Sequence, residues 1–258
     1  MQIATWNVNS LSVRLPQVLD WLASNPVDAL GLQELKLVEE RFPFAALEAA
    51  GYHAVVHGQK TYNGVAWLTR SPVLEVVRNI PGLADEQART IAATLDTPQG
   101  PVRLINGYFV NGQAPGTDKF AYKMRWLSAL HAWVAAELAC HQRLVLLGDF
   151  NIAPQDRDSH DPEGLRGSIH HTVEERGQFQ ALLDLDLHDA FRLFEQPERS
   201  FSWWDYRMLG FQKNRGLRID HILVSAALRH TVTACTIDRT PRKKPQPSDH
   251  APVVVTLG

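Results

Sequence analysis

The sequence of 258 residues predicts an α/β fold, a four-layer α/β sandwich in which two packed, mixed β-sheets are flanked by helices. Short apolar and β-branched runs recur along the whole chain, and helical patterns separate only some of them. Neighbouring runs such as 54–57 and 65–69 are too close for a helical crossover, which argues against one parallel sheet. No repeat or linker divides the chain, so we expect one domain over residues 1–258.

The hydrophobic pattern places the individual elements. Strands are expected at the apolar or β-branched runs 3–6, 29–33, 54–57, 65–69, 91–95, 102–107, 144–148, 219–224 and 253–257. The clearest helix covers about 119–139, because one apolar stripe recurs there at steps of three and four: Phe120, Met124, Leu127, Leu130, Val134 and Leu138. A second helix is expected from 173 to about 185. The segments 153–168 and 240–248 lack a pattern, and loops of this length are often functional.

The composition describes a chain that can bury a large core, and it excludes several classes of protein. Hydrophobic residues make up 45% of the chain, so its bulk is not disordered. No apolar run approaches the roughly 20 residues of a bilayer span, and no signal peptide is recognisable, so we expect a soluble, cytoplasmic protein without a membrane partner. Cys140 and Cys235 are too few for a disulfide framework. Residues 201–258 carry 9 basic and 4 acidic side chains, a bias that suits a phosphate-bearing partner but also arises by chance.

Polar side chains stand at the ends of several predicted strands that are far apart in the sequence. They include Asn7, Glu34, Tyr108, Asp149 and Asn151, together with Asp220 inside the predicted strand 219–224 and Asp249 and His250 just before the last strand. A side chain immediately beyond a strand is held rigidly and still reaches solvent at the rim of the sheet, as a preorganised site requires. If these strand ends share one rim, the sequence predicts a single site there.

The chemistry of this set indicates a metal and a phosphate. Glu34, Asp149 and Asp249, with the amides of Asn7 and Asn151, offer hard oxygen ligands, which Mg²⁺ or Mn²⁺ prefers. Magnesium commonly keeps water and substrate phosphate in its coordination shell.

A histidine beside these carboxylates adds a second function to the predicted site. His250 can bond a phosphate oxygen or act as acid or base, and Asp220 can fix its tautomer and hold it protonated.

Each of these residues taken alone also has an ordinary structural explanation. Asn7 suits a cap after the strand, and Glu34 suits the start of a helix. The string Gly-Asp-Phe-Asn at 148–151 suits a turn, with Gly supplying unusual dihedrals, and Tyr108 suits a half-buried strand. The joint pattern therefore decides more than any single member.

Eight motifs, in order and over nearly the whole chain, resemble the exodeoxyribonuclease III family of AP endonucleases and 3′→5′ exonucleases, which act in DNA repair. They are TWNVNS, LQELK, GQKTYNGVAWLT, INGYFVNG, LLGDFNIAP, FSWWDYR, NRGLRIDHILVS and PSDHAPV. Within the wider endonuclease/exonuclease/phosphatase superfamily, RGLRIDHIL, FSWWDYR and GQKTYNGVA look like the nuclease branch rather than the lipid-phosphate branches. The resemblance implies a monomeric, divalent-metal-dependent hydrolase of base excision repair. Its implied substrates are phosphodiesters and phosphates at 3′ ends, nicks and abasic sites of duplex DNA.

The resemblance also implies roles for the metal-binding side of the site. Glu34 binds the divalent metal, with Asn7 and Asp249 at or beside it. Asp149 orients or deprotonates the attacking water, or binds a second metal, and Asn151 holds the scissile phosphate. Among the remaining residues, Tyr108 contacts the phosphate or its leaving oxygen. His250, paired with Asp220, stabilises the charge that develops on the phosphate, although descriptions of the family also give it the role of base.

We expect contacts to DNA from basic, amide and aromatic side chains around this site. Candidates for phosphate contacts are Arg89, Asn111, Lys119 and the region from Arg215 to Arg218. Trp203 and Trp204 are candidates for walling the pocket that receives the terminal or abasic sugar, with core packing as an equal alternative for Trp204. Asp205 is expected to brace this loop through Tyr206 or Arg207.

Three departures from the family pattern stand out. Val110 follows the Tyr108 motif where proline is frequent, and the aromatic pair is Trp-Trp rather than Trp-Phe. His170 and His171 lie in a loop that carries smaller residues in the family and approaches the DNA pocket. A bulky imidazole there predicts stronger 3′→5′ exonuclease and 3′-phosphatase activity than cleavage at internal abasic sites. The alternative is that both imidazoles point to solvent.

Three other functions compete with this interpretation. A superfamily phosphatase would act on a small or lipid phosphate in place of DNA. A DNA-binding module without catalysis is disfavoured because every expected acidic position is intact. A serine hydrolase built from Ser248, Asp220 and His250 is weaker still, because no GxSxG motif occurs.

Overall fold

The computed structural model describes residues 1–258 and contains twelve strands and five α-helices. The strands are β1 (Gln2–Asn7), β2 (Ala29–Gln33), β3 (His53–His57), β4 (Val65–Thr69), β5 (Val73–Arg78), β6 (Thr90–Leu95), β7 (Val102–Tyr108), β8 (Leu144–Asp149), β9 (Leu187–Asp189), β10 (Asp220–Ser225), β11 (Val232–Ile237) and β12 (Val253–Leu257). The helices are α1 (Leu11–Ser24), α2 (Phe44–Ala49), α3 (Asp118–Cys140), α4 (Val173–Leu183) and α5 (Ala226–Arg229). None of the helices combines the length and the apolar character that crossing a membrane requires.

The strands form two six-stranded mixed sheets. The first has the order β11-β12-β1-β2-β4-β3 and the second the order β5-β6-β7-β8-β10-β9. Each sheet has one parallel pair, β1 with β2 and β7 with β8, and all other pairs are antiparallel. Parallel pairs need a crossover, and α1 and α3 supply the two crossovers.

Three apolar layers hold the sheets and helices together. The largest lies between the sheets and includes Ile3, Trp67, Leu147 and Val255. A second lies between the first sheet and α1 and α2, and a third between the second sheet and α3 and α4. The order helix, sheet, sheet, helix confirms the predicted four-layer sandwich.

The predicted strands and the two predicted helices are all present, but the sequence missed several elements. Strands β5 and β11 were missed because they are partly exposed and each has an irregular register, so neither repeats with a strand period. Strand β9 has only three residues. Helix α1 contains Pro16, a residue that normally ends a helical pattern. Helices α2 and α5 span six and four residues, too short to set up a period.

The topology brings the predicted strand ends to one rim. The parallel pairs end there together, and Asp149 at the end of β8 is the neighbour of both Tyr108 at the end of β7 and Asp220 at the start of β10. Gly148 is required for this approach, because a Cβ there would lie 1.9 Å from the carbonyl oxygen of Gly107 and its φ is 143°.

A buried amide fixes the two sheets relative to each other. The side-chain nitrogen of Asn106 on β7 donates to the carbonyls of Leu32 and Ala66 in the first sheet, at 2.9 Å each. Its side-chain oxygen accepts from the amide of Gln33 at 2.7 Å. A buried polar link of this kind favours one sheet-to-sheet register, and so the rims of both sheets are aligned.

Candidate active site

Asp149 lies at the centre of the rim and is 1% exposed. The side-chain nitrogen of Asn7 donates to its Oδ2 at 2.9 Å, across the two sheets. The backbone N–H of Asn151 donates to its Oδ1 at 3.0 Å. The two oxygens are therefore held in a fixed plane by donors from β1 and from the loop after β8.

His250 is held between two carboxylates. Its Nδ1 lies 2.9 Å from Asp220 Oδ2, and its Nε2 lies 3.7 Å from Asp149 Oδ2. Burial alone would lower the pKa of His250, but Asp220 and Asp149 outweigh burial and raise the pKa to about 10. The imidazole is therefore a cation at neutral pH, with Nδ1–H donating to Asp220.

The carboxyl group of Asp149 is the one whose protonation changes near neutrality. Burial raises its pKa to about 7, and the nearby charges of Asp220 and Glu34 act in the same direction. The charge of His250 and the hydrogen bond from Asn7 oppose the rise. Burial and Glu34 also raise the pKa of Tyr108 well above its usual value, so Tyr108 is a neutral hydrogen-bond donor.

A second branch of the site connects Asp249 to Glu34. The amide of Asn9 donates to Asp249 Oδ1 at 2.9 Å and accepts from Lys36 Nζ at 2.6 Å, and Lys36 lies 3.4 Å from Glu34 Oε1. The Trp203 indole donates to Asp249 Oδ2 at 3.0 Å. Together with His250, these donors overcome burial and hold the pKa of Asp249 below its usual range.

Asn9 and Lys36 were not among the predicted site residues. Both stand within the motifs TWNVNS and LQELK, two positions after Asn7 and Glu34, so the motifs contained the signal for them. Asn9, Glu34 and Lys36 have φ values of 44°, 56° and 56°. Left-handed backbone at adjoining loops turns the side chains of both loops toward one point and is typical of functional sites.

The donors at this rim fit a hard divalent cation. All the anionic donors are carboxylates, none is a thiolate, and ligand atoms of Asp149, Asp220 and His250 lie within 4.8 Å of one another. The four carboxylates Glu34, Asp149, Asp220 and Asp249 directly contact only two cationic side chains, Lys36 and His250. A divalent cation would balance the remaining negative charge.

An open cavity of about 850 Å³ adjoins the rim and is lined by Arg89, Tyr108, Asn111 and Lys119. The guanidinium of Arg89 packs over the ring of Tyr108, 5.2 Å from its centre, and donates to Gln87. The Asn111 side chain donates to the side-chain oxygen of Asn151 at 3.2 Å. These four residues, each of which was expected to contact DNA or a phosphate, therefore line one cavity.

Arg218 is where the prediction is wrong. It is 1% exposed, with its guanidinium paired to Asp158 at 2.7 Å and Asp189 at 2.8 Å, so no DNA phosphate can reach it. The two carboxylates come from segments that are far away in the sequence. Because they are buried next to this strand, they need a cationic partner, and Arg218 provides it.

The tryptophan pair divides between core and site. Trp204 is fully buried and packs edge-on against Phe211, so its role is in the core. Trp203 is half-buried at the rim. Asp205 forms an ion pair with Arg207 at 2.7 Å, one of the two bracing contacts expected of it.

His170 is half-buried, and its ring contacts the site loop. Its Nδ1 lies 2.6 Å from the carbonyl oxygen of Asn151, and its φ is 72°. Burial lowers the pKa of His170 to about 4, so the ring is neutral and donates through Nδ1–H. His171 is buried, with Nε2 3.0 Å from Ser159 Oγ. The alternative in which both imidazoles point to solvent is therefore wrong.

Two further features bear on function. Ser248 Oγ donates to the carbonyl of Asn7 at 2.6 Å, so it is not aligned on His250 as a nucleophile would be. In the segment that follows Trp203 and Trp204, the apolar side chains of Met208 and Leu209 are 75% and 58% exposed, on left-handed backbone with φ of 57° and 56°. The sequence pattern gave no signal for this exposed apolar pair.

Similarity to known proteins runs along nearly the whole chain. Residues 4–250 match the Endonuclease/Exonuclease/phosphatase family. The chain is 38% identical to exodeoxyribonuclease III of Haemophilus influenzae, covering 98% of each chain. The structure of a 3′ phosphatase, NExo, from Neisseria bound to a product DNA hairpin is similar with a TM-score of 0.97 at 50% identity, covering 100% of this chain and 99% of that one. An AP endonuclease from Archaeoglobus fulgidus is similar with a TM-score of 0.94 at 32% identity and the same coverage. The chain therefore belongs to the endonuclease/exonuclease/phosphatase family and, within it, to the exodeoxyribonuclease III group of nucleases.

Proposed function

We propose that this protein is a magnesium-dependent DNA-repair nuclease that hydrolyses phosphodiesters and phosphates at 3′ ends of duplex DNA. The observation that carries the proposal is the meeting of Asp149 with the His250–Asp220 pair at one rim, next to a cavity bordered by Arg89 and Lys119. A carboxylate beside a cationic imidazole suits the activation of water against a phosphate. No observation favours a small or lipid phosphate as substrate.

Each side chain has a place in this chemistry. Glu34 would hold Mg²⁺, or Mn²⁺ in its place, with Asn7 and Asp249 beside it and Asp149 and Asn151 within reach of a second ion. The metal would supply Lewis-acid charge at the phosphate when bound.

The side chains of this chain position the phosphate and move the protons. Asp149, with a pKa of about 7, is poised to take a proton from the attacking water at neutral pH. Asn151 and the neutral Tyr108 hydroxyl bind phosphate oxygens, and the cationic His250 stabilises charge that develops on them.

We propose that DNA lies across the cavity and the rim. Arg89 and Lys119 would contact phosphates, Asn111 would orient Asn151, and Trp203 would border the terminal sugar. The exposed pair Met208 and Leu209 suits insertion between base steps at the end of a duplex, because apolar wedges of this kind are frequent in proteins that distort DNA.

A panel of labelled substrates tests the proposed function. It contains 3′-recessed, 3′-phosphate, abasic and single-stranded DNA together with a phosphorylated inositol, each with Mg²⁺, Mn²⁺ or EDTA. We expect hydrolysis at 3′ ends of duplex DNA with Mg²⁺, none with EDTA, and none by Glu34→Gln. Faster turnover of the inositol phosphate than of DNA would contradict the proposal.

We further propose that His170 restricts cleavage at internal abasic sites. Its ring is fixed against the Asn151 carbonyl, and in this proposal it would narrow the space beside the scissile phosphate. We expect His170→Gly to raise abasic-site cleavage relative to 3′-phosphatase activity about tenfold, the lower range of substrate discrimination by pocket shape. His160→Gly, in the same long loop, is the control. Equal activity ratios in wild type and His170→Gly would dismiss the idea.

We also propose that residues 1–258 act as one domain and as a monomer in the cytoplasm. The two sheets share one apolar layer, and a single copy supplies every side chain of the site. Both cysteines are free thiols, as is typical in a reducing compartment.

A further inference from the structure

A completely buried lysine lies directly beneath the phosphate-binding loops. Lys123 on α3 and Glu175 on α4 have fully buried side chains, and their charged atoms lie 2.5 Å apart. The Lys123 ammonium also donates to the carbonyl oxygens of Asn151 at 2.7 Å and Asn111 at 3.2 Å. These three acceptors use all three of its N–H groups.

Glu175 extends this contact to a third loop. Its Oε1 accepts from the backbone N–H of His170 at 3.0 Å, and its Oε2 accepts from the backbone N–H and the hydroxyl of Thr172. The ion pair therefore joins the loop after β7, the loop after β8 and the turn before α4. These are the loops that carry Asn111, Asn151 and His170.

The loop after β8 places Asn151 in left-handed backbone, with a φ of 52°. Asparagine adopts this region more readily than most residues other than glycine, and the groups that contact its carbonyl and side chain fix its orientation there. Lys123 and His170 both donate to the Asn151 carbonyl, which leaves the Asn151 side chain aligned between Asn111 and the carbonyl of Phe109.

We propose that Lys123 is a positioning residue for phosphate hydrolysis, whose ammonium fixes Asn111 and Asn151 at the spacing that the scissile phosphate requires. This inference rests on the proposed nuclease function. Lys123 itself does not touch the substrate, because its ammonium is enclosed by protein. Its effect passes through the backbone carbonyls of the two asparagines.

The test removes the ammonium without leaving a buried charge behind. In Lys123→Met/Glu175→Gln, both charges disappear together, because removing one partner alone would leave the other uncompensated. We expect kcat on a 3′-phosphate duplex with Mg²⁺ to fall about 100-fold while KM stays nearly unchanged, since a displacement near 1 Å costs about this much. Lys123→Gln/Glu175→Gln, which also removes both charges but keeps amide donors for the carbonyls, should lie between Lys123→Met/Glu175→Gln and wild type.

A matched control separates positioning from stability. Arg103 and Glu137 form another ion pair with little exposure, outside the site and 2.5 Å apart. Arg103→Met/Glu137→Gln should lose stability and keep the kcat of wild type, assayed below its unfolding temperature. An equal loss of kcat in this control would overturn the inference.

A double-mutant cycle tests the route through Asn151. Changing Lys123 in an Asn151→Ala background should cost little further activity, because the side chain that it positions is already absent. Fully additive losses, or a wild-type kcat in both Lys123 variants, would overturn the inference while the nuclease function stands. A wild-type protein that cleaves no DNA with any metal would instead overturn the proposed function and with it this inference.

Discussion

Two histidines of this protein are almost fully buried next to Asp220, and yet one is a cation at neutral pH and the other is neutral. His250 pairs with Asp220 and Asp149, and these carboxylates raise its pKa to about 10 against the effect of burial. His221 follows Asp220 in β10 and lies 3.0 Å from the Arg218 guanidinium; burial lowers its pKa to about 4, and Arg218 acts in the same direction. Equal burial therefore does not determine the protonation state.

The surroundings of the two histidines differ in charge balance. Around His221, Arg218 and Arg192 face Asp158 and Asp189, so the charges are matched and the cluster is closed. Around His250, carboxylates outnumber cations and the cluster opens onto the rim. A balanced buried cluster is suited to holding structure, whereas an unbalanced one is suited to binding a cation and moving protons.

The largest effect is expected at the centre of the unbalanced cluster. Asp149→Asn keeps the size of the side chain and removes the proposed proton acceptor, so kcat on a 3′-phosphate duplex should fall about 10⁴-fold, the upper range for a general base. The unfolding temperature of the variant should not fall, because burial disfavours the charged form of Asp149 and the substitution removes that charge. Single-turnover kinetics and calorimetry measure the two quantities; a stable variant with wild-type kcat would remove Asp149 from the reaction.

The second effect breaks the balanced cluster. Arg218→Met leaves Asp189 and Asp158 buried without their shared guanidinium, and we expect a loss of about 3–5 kcal/mol in the free energy of unfolding. The kcat of the folded enzyme should be unchanged. Urea unfolding measures the loss, and Arg218→Met/Asp189→Asn should recover part of it. If the Arg218→Met variant had weaker DNA affinity and normal stability, Arg218 would instead be a residue that contacts DNA.

Arg218 also illustrates what the sequence could not predict. The boundaries of the strands are local features, because an apolar run and the polar residues next to it can be recognised in the sequence. Asp149 after one run, Asp220 at the start of another and His250 before the last were therefore expected at one rim, and the three lie together there. Whether an arginine meets a phosphate or a carboxylate depends on Asp158, which is 60 positions away in the chain. A basic segment beside a catalytic strand looks the same in both cases.

The same limit applies to elements of the fold. Strand β11 lies at a sheet edge and is only partly covered, so its residues do not alternate and the sequence carries no strand period. Its place is decided by pairing with β12. Lys123 is an example from the site that the sequence could not predict. A lysine on a helix is normally expected to be exposed, and only the tertiary fold gives Lys123 three buried acceptors.

The third effect alters the charge of His250, and because Asp220 also raises the pKa of Asp149, the pKa of Asp149 should change as well. Asp220→Asn removes the nearer carboxylate, so the pKa of His250 should fall and kcat should decrease about 100-fold, as for loss of one electrostatic stabiliser. If, as proposed, the cation is the active form, activity should be lost at lower pH than in wild type as pH rises. A pH profile of kcat with NMR titration of the His250 ring measures both; an unchanged alkaline limb would contradict the pairing.

The smallest effect concerns His221 and the pH dependence of stability. A histidine whose pKa is lower in the folded state than in the unfolded state contributes full stability above the unfolded value near 6.5 and loses it as pH falls toward 4. From pH 7 to pH 5.5 the loss assigned to His221 is about 1 kcal/mol. His221→Phe cannot take up this proton, so the stability advantage of wild type over the variant should shrink by that amount, as measured by urea unfolding at both pH values. An advantage that grows on acidification would mean that His221 is protonated in the folded protein, and the contrast with His250 would be lost.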